Sequence, residues 1–328
     1  MSVSFVLRGV FGIVTDLTVG KPGSVLFRFT FPLLLSVVFQ QFYNIVDSII
    51  AGHYIGVNAL AAVGASAPIT MLFLAIANGM NIGCSVVISQ YFGGKHMTHM
   101  KSAVSTAVIA SAGLSLILTG IGLWLSPLLL RLIDTPEEIM ADSEVYLNIY
   151  ILGLLFLFVY NIANAVFTAL GDSRTPLFFL IVSSLGNIGL DILLVTRFQM
   201  GVSGVAWATF IAQGFASVAA ILFLLRRMRK IKSDKPRIFS LKMLGRVSRI
   251  AIPSILQQSF VSVGNVFVQG LVNSFGATVV AAFAAASKLN TFTITTLSAL
   301  GNGLSSYTAQ NIGARNIRRV KQGFTAGI

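Results

Sequence analysis

A chain of 328 residues that is 55% hydrophobic and only 10% charged, with a mean hydropathy of +0.85, excludes an ordinary soluble domain, in which roughly 25% of residues are charged. The net charge of +13 does not point to nucleic acid, because the basic residues stand between apolar runs and read there as topology signals. A single cysteine, Cys84, excludes an intrachain disulfide.

The first 20 residues show no small-residue cleavage site and lead straight into apolar sequence, so no cleaved signal peptide is expected. MSVSFVLRGVFGIV is read as lying along the cytoplasmic interface. Runs of about 20 apolar residues mark transmembrane helices. They fall near 27–52, 58–90, 103–130, 146–170, 176–196, 203–226, 249–272 and 279–310, and a ninth starts at about 318. The expected class is an all-α polytopic membrane protein.

The basic residues orient this layout. Arg8, Lys21 and Arg28 precede or open the first span, Lys95 and Lys101 lie between the second and third, and Arg174 between the fourth and fifth. Ten more crowd the stretch from Arg226 to Arg249, and Arg315, Arg318, Arg319 and Lys321 follow the eighth span. Twenty of the 23 Lys and Arg thus stand on alternate loops, against Arg131 and Arg197 on the other side and Lys288 inside the eighth span. By the positive-inside rule the amino terminus is cytoplasmic, in a protein of the cell inner (plasma) membrane. The chain divides into an amino-terminal lobe of six helices (1–228), a basic cytoplasmic linker (229–248) and an incomplete carboxy-terminal lobe (249–328).

The acids are unevenly placed. Asp134, Glu137, Glu138, Asp142 and Glu144 gather between the third and fourth spans, where they read as a solvated outer loop with a capped helix start at Thr135-Pro136-Glu137-Glu138. Asp172, in GDSRTP, reads as a turn residue. Asp47 and Asp191 alone fall at membrane depth, where a carboxylate costs about 2.5–3.5 kcal/mol on insertion scales and persists only beside a partner or a watery cavity.

The chain also repeats itself. A shift of 220 or 221 residues lays the first two spans on the seventh and eighth: Pro32 meets Pro253, Asn44 meets Asn265, Gly83 meets Gly303, Gln90 meets Gln310, Gly93 meets Gly313 and Lys95 meets Arg315. An even number of spans separates the copies, so both enter the membrane in the same sense. Such a parallel repeat about the membrane normal builds the two lobes of many transporters. Asp47 pairs with Val268, which leaves that acid to the first lobe.

Asp191 follows Asn187 by four residues, on one helix face. With a rise of about 1.5 Å per residue, Asp47 lies about 7–8 Å, Asp191 about 9 Å and Thr209 roughly 12 Å from the outer ends of their helices. Two carboxylates in a low-dielectric site do not both stay ionised unless a cation compensates them, so this level could trade H+ or Na+ against a conformational change. Carboxylate, amide and hydroxyl oxygens at Asp47, Asn187, Asp191 and Thr209 suit such an ion. A polar network that merely joins helices is the competing reading. Asn44, Gln40, Gln41, Gln257 and Gln258 are candidates to line a cavity. Gly79-Met-Asn-Ile-Gly83 is a close-packing pattern, and the 226–249 stretch can meet anionic lipid headgroups. His96 and His99 lack the company a metal site needs. No phosphate-binding P-loop occurs, so direct ATP drive is not supported.

NIVDSIIAG in the first span, Gln90-Tyr91-Phe92-Gly93-Gly94 at the end of the second, ALGDSRTP at 169–176 and Asn187-x-x-x-Asp191 together resemble the multidrug and toxic compound extrusion (MATE) family of secondary transporters. The resemblance implies a two-lobe helical bundle of twelve helices, about eight of which are present here, and efflux of cationic, often aromatic compounds in exchange for H+ or Na+. It implies that Asp47, Asn187, Asp191 and Thr209 form the ion site of the first lobe, with Na+ a possible ligand of Asp47, Asn187 and Asp191 and no further cofactor. The implied partners are small organic cations and the lipid bilayer, not nucleic acid. The remaining helices are expected either to be missing from a truncated product or to be supplied by another chain.

Three competing readings remain. A related flippase for lipid-linked sugars would be expected to carry several cationic residues in a central cavity, where only Lys288 lies inside a span. A non-transporting fragment is the second. An intramembrane aspartyl protease would need Gly-x-Gly-Asp at its second acid, and this chain has Ile-Gly-Leu-Asp.

Overall fold

The computed structural model describes residues 15–273, 275 and 277–327; side chains at 47, 48, 51, 55, 57–60, 266, 269, 270, 273, 277, 278, 280, 281, 284, 285, 288 and 289 lie outside the description. The interface segment expected at the amino terminus, and the side chains of Asp47 and Lys288, therefore fall outside the described residues.

Helix α1 runs Pro22–Ile50 and continues through a π-helical turn, Ala51–Ile55. Pro22 opens it, where a missing N–H is tolerated. Then come α2 (Val57–Gly93), α3 (Met97–Leu132), α4 (Glu137–Leu152), α5 (Leu154–Ala169) and α6 (Arg174–Ile192), which ends in a second π-helical turn, Leu193–Arg197. Helices α7 (Gly201–Lys230), α8 (Leu241–Asn273), α9 (Ala277–Gly313) and α10 (Ile317–Gly327) complete an order with no strand among the described residues. Five helices among the described residues are long and apolar enough to cross a membrane, and six if α4 and α5 count as one bent span. At 33 and 37 residues, α8 and α9 also have the length for a bilayer core about 30 Å thick.

The structure refines several expected boundaries. The fourth span does not start at 146 but at Glu137, and it bends by 46° between α4 and α5, at Gly153. Its start lacks the expected cap: the Thr135 hydroxyl is buried and makes no hydrogen bond. The basic linker is non-helical only over 231–240, because its flanks complete α7 and open α8.

The repeat is visible in backbone geometry. Gly94, Lys95 and His96 close α2 by donating to Gln90, Phe92 and Tyr91, and Ala314, Arg315 and Asn316 close α9 by donating to Gln310, Ile312 and Asn311. Lys95 and Arg315 share a left-handed φ of 58°. The two copies exchange partners. Gly83 on α2 lies against Ala251 on α8, and Gly303 on α9 against Thr30 on α1; an added Cβ would come within 2.7 Å and 2.6 Å respectively. Gly79 is as close to Ile255 of α8, so the Gly79–Gly83 pattern is a close-packing seam, as small residues permit within a membrane. Helix α2 is central, packing most extensively on α8 and then on α9 and α5.

The segments that lead into α1 and α8 cross over in the same way. Leu17 donates its N–H to Gln310 Oε1 (3.3 Å), while its carbonyl accepts from Asn311 Nδ2 (3.0 Å) and Arg319 Nε (3.2 Å). At the matching position, the Arg237 N–H donates to Ser102 Oγ (2.9 Å) and its carbonyl accepts from Ser105 Oγ (3.2 Å). Gly171, at φ +78°, lets the α5–α6 turn join this arrangement: its carbonyl accepts from Thr15 N–H, and a Cβ would stand 2.1 Å from the Thr15 oxygen. These contacts gather at one end of the bundle, which also carries Lys95, Lys101, the linker and Arg315; it is called the basic end below.

Candidate ion and substrate site

Helix α6 supplies Ser183, Ser184 and Asn187 to a cavity with about 130 Å³ of room for water-sized molecules. Helix α7 adds Thr209 and Gln213, α5 adds Tyr160, and α1 adds Gln40 and Tyr43. Alanines 212 and 216 of α7 also line it, and their small side chains leave the space that the polar groups surround. Polar side chains in an otherwise apolar bundle, beside room for several waters, are what a hydrated intramembrane site requires.

Asn187 is 3% exposed and donates from Nδ2 to Thr209 Oγ1 at 3.4 Å. Its Oδ1 is buried and has no hydrogen-bond partner among the described residues. A buried acceptor left in this state normally costs free energy, so an ion, a proton carrier or a water is needed to complete it. Asp191, one turn further along α6, is fully buried. Thr209 and Gln213 also border a second cavity of about 20 Å³, with Tyr146, Tyr150 and Phe210 on its other walls, which has room for about one water.

The sequence candidates are thus placed unequally. Asn187 and Thr209 meet at the cavity, Asp191 lies one turn beyond, and Gln40 lines the wall from α1. Gln41 accepts a hydrogen bond from Asn44 Nδ2 (3.3 Å), and neither lines the cavity. Gln257 is exposed and Gln258 half-buried on α8, away from it. Asp47 belongs to α1 in sequence, with its side chain outside the described residues. Tyr43, Tyr160, Ser183, Ser184 and Gln213 were not anticipated. Spacing carried part of the signal: Ser183 precedes Asn187 by four residues, and Gln213 follows Thr209 by four. Among the described residues no group of three or more His, Cys, Asp or Glu could hold a metal, so a cation here would depend on amide and hydroxyl oxygens as well as carboxylates.

Asp172 is more than a turn residue. It is buried, accepts from the backbone N–H groups of Arg174 (3.2 Å) and Thr175 (3.0 Å) and from the Thr175 hydroxyl (2.7 Å), and pairs with Arg227. It ties the start of α6, the helix that carries Asn187 and Asp191, to the end of α7, which carries Thr209.

The fold and site define a helical membrane protein with an internal repeat and a half-open cavity lined in part by polar side chains. The family model described as MatE matches residues 32–193 and 253–328, and the chain belongs to that family. It is similar to "Probable multidrug resistance protein YpnP" of Bacillus subtilis (strain 168), at 32% identity over 305 residues covering 93% of this chain and 68% of that protein. Among solved structures, a MOP superfamily transporter from Pyrococcus furiosus superposes with a TM-score of 0.89 at 23% identity, over 96% of this chain and 70% of that one. A MATE crystal structure in the straight conformation gives 0.88 at 24% identity, over 96% and 71%. At these identities the two structures speak for the fold alone.

Proposed function

We propose that the protein works as a secondary antiporter that exports cationic, often aromatic compounds in exchange for H+ or Na+, with its basic end in the cytoplasm. The observation that carries this reading is the fully buried Asp191 one turn from Asn187, whose amide meets Thr209 beside a cavity with room for several waters. Asp191, Asn187 Oδ1 and the Thr209 hydroxyl would hold the coupling ion, by oxygen ligation if Na+ or by carboxyl protonation if H+. Asp47 would complete the set: Gln40, Tyr43 and Asp47 stand at i, i+3 and i+7, the spacing of one helix face, and the first two line the cavity. Tyr43 and Tyr160 offer aromatic faces of the kind that attract organic cations. The name of YpnP, with its multidrug resistance, agrees with such a cargo.

The test is efflux of ethidium from cells lacking other exporters, for the 328-residue chain and for a chimera that carries the remaining third of YpnP. Efflux that disappears in Asp191→Asn and in Asp47→Asn, with surface expression unchanged, supports the reading. Efflux that survives both substitutions removes the coupling role.

A further inference from the structure

From the α7–α8 connection into the first turn of α8 the chain runs Lys235-Pro-Arg-Ile-Phe-Ser-Leu-Lys242, and its backbone is fastened to α3. Besides the two Arg237 contacts to Ser102 and Ser105, the Ser240 N–H donates to Thr106 Oγ1 at 3.1 Å. Ser102 and Thr106 are both buried. A backbone pinned on one side presents its side chains on the other. Ile238 is 77% and Leu241 75% exposed, and Phe239 is exposed as well. Lys235, Arg237 and Lys242 are exposed among them, and Arg226, Arg229, Lys230 and Lys232 are exposed on the approach from α7. Asp234 is the acid of this segment.

Exposed large apolar side chains flanked by cations do not suit water, and they do not suit the hydrocarbon core either. They match the boundary between acyl chains and phosphates, where apolar groups enter the chains and Lys or Arg reach the headgroups. We infer that the 235–242 strap is a docking surface for anionic phospholipid, with Ile238, Phe239 and Leu241 inserted at the acyl boundary and Lys235, Arg237 and Lys242 on the phosphates. Charge decides for anionic lipid over zwitterionic lipid, since the excess of cations gains from a negative surface and not from a neutral one. The inference needs only a membrane-embedded chain and holds whichever ion or cargo the cavity takes.

The experiment places an Ile238→Cys variant, labelled with an environment-sensitive fluorophore, in lipid nanodiscs. Cys84 is buried, and a Cys84→Ala background removes it from the labelling. Brominated phosphatidylglycerol or brominated phosphatidylcholine is then introduced at the same mole fraction in a phosphatidylcholine host. At 238, the phosphatidylglycerol form is expected to quench about twofold more strongly. A probe at Trp124→Cys, 81% exposed on α3, should show no such preference. Combining Lys235→Gln, Arg237→Gln and Lys242→Gln should abolish the preference while leaving the backbone contacts of residue 237 in place. Equal quenching by the two lipids would overturn the inference, as would no quenching by either, which would put the strap in water or under a protein partner. Loss of the preference on adding millimolar inorganic phosphate would also overturn it, by showing a site for the free anion.

Discussion

Gly93 and Gly313 are each pressed against the helix that carries the other: a Cβ on Gly93 would stand 2.0 Å from the Gln310 carbonyl oxygen, and one on Gly313 1.9 Å from that of Gln90. The neighbours are backbone atoms, so neither helix can yield by turning a side chain. Gly93→Ala or Gly313→Ala should force α2 and α9 apart and cost about 3 kcal/mol or more, at or above the upper end of ordinary overpacking. Gly113, on α3, has open space around its Cβ position, so Gly113→Ala should instead be neutral or stabilise by about 0.5–1 kcal/mol. Thermal unfolding in detergent checks all three. An unchanged midpoint in both seam variants would mean that the seam is not closed as described.

Arg319 holds the segment before α1. Its guanidinium donates to the carbonyls of Leu17 (3.2 Å), Val19 (2.7 Å) and Gly20, and it lies 5.5 Å from the centre of the Tyr307 ring. Hydrogen bonds to charged groups are worth about 1.5–3 kcal/mol each, and several act together here. Arg319→Ala should therefore cost about 3 kcal/mol and speed amide exchange at Leu17, whose N–H bonds Gln310. Arg319→Lys should recover less than half of that, because an ammonium cannot reproduce the planar fork. Hydrogen exchange followed by mass spectrometry reads the effect directly, and equal protection in wild type and Arg319→Ala would contradict it.

Lengths of apolar sequence reveal helices because a bilayer imposes one thickness, and the 220-residue shift reveals the repeat because matched residues such as Lys95 and Arg315 adopt one turn geometry. Much of the fold was legible for these reasons. The rotation of each helix about its axis was not. A helix that is apolar nearly all round shows little preference for one face, so sequence alone leaves open which of its polar residues meet. Counting from helix ends set Asp191 and Thr209 at similar depths, but it could not show that Asn187 Nδ2 reaches the Thr209 hydroxyl or that Tyr160 and Gln213 line the same space. Arg227 was hidden differently. Within a run of basic residues it reads as one more topology signal, yet it folds back over 55 positions onto Asp172.

That ion pair gives the next prediction. Asp172 is buried and Arg227 mostly so, and removing one partner leaves the other charged without compensation. Asp172→Ala should cost about 3–5 kcal/mol, since it strips the α6 start of its acceptor as well. Arg227→Ala should cost less, because its guanidinium retains some access to solvent. The double variant should be less destabilised than the sum of the two by roughly 1–3 kcal/mol. A double-mutant cycle by thermal or denaturant unfolding measures this coupling, and strict additivity would show that the pair contributes nothing of its own.

Asn187 separates a working site from a polar contact that only joins helices. If its amide serves as glue between α6 and α7, replacing it removes a hydrogen bond and lowers stability. If it belongs to an ion site, its Oδ1, which no described protein group satisfies, is kept for an ion or a water, and an apolar side chain of similar volume removes that demand together with the contact to Thr209. Asn187→Leu is accordingly expected to leave the unfolding midpoint unchanged or to raise it, by up to about 1 kcal/mol, while ion-coupled efflux falls at least tenfold. Thr209→Val should differ: it strips the Asn187 Nδ2 of its acceptor and leaves a buried donor unpaired, which should cost about 1–3 kcal/mol. The pair of measurements, unfolding in detergent and ethidium efflux in cells, is decisive only when taken together. An Asn187→Leu protein that unfolds earlier yet still exports at the wild-type rate would identify the Asn187–Thr209 contact as structural.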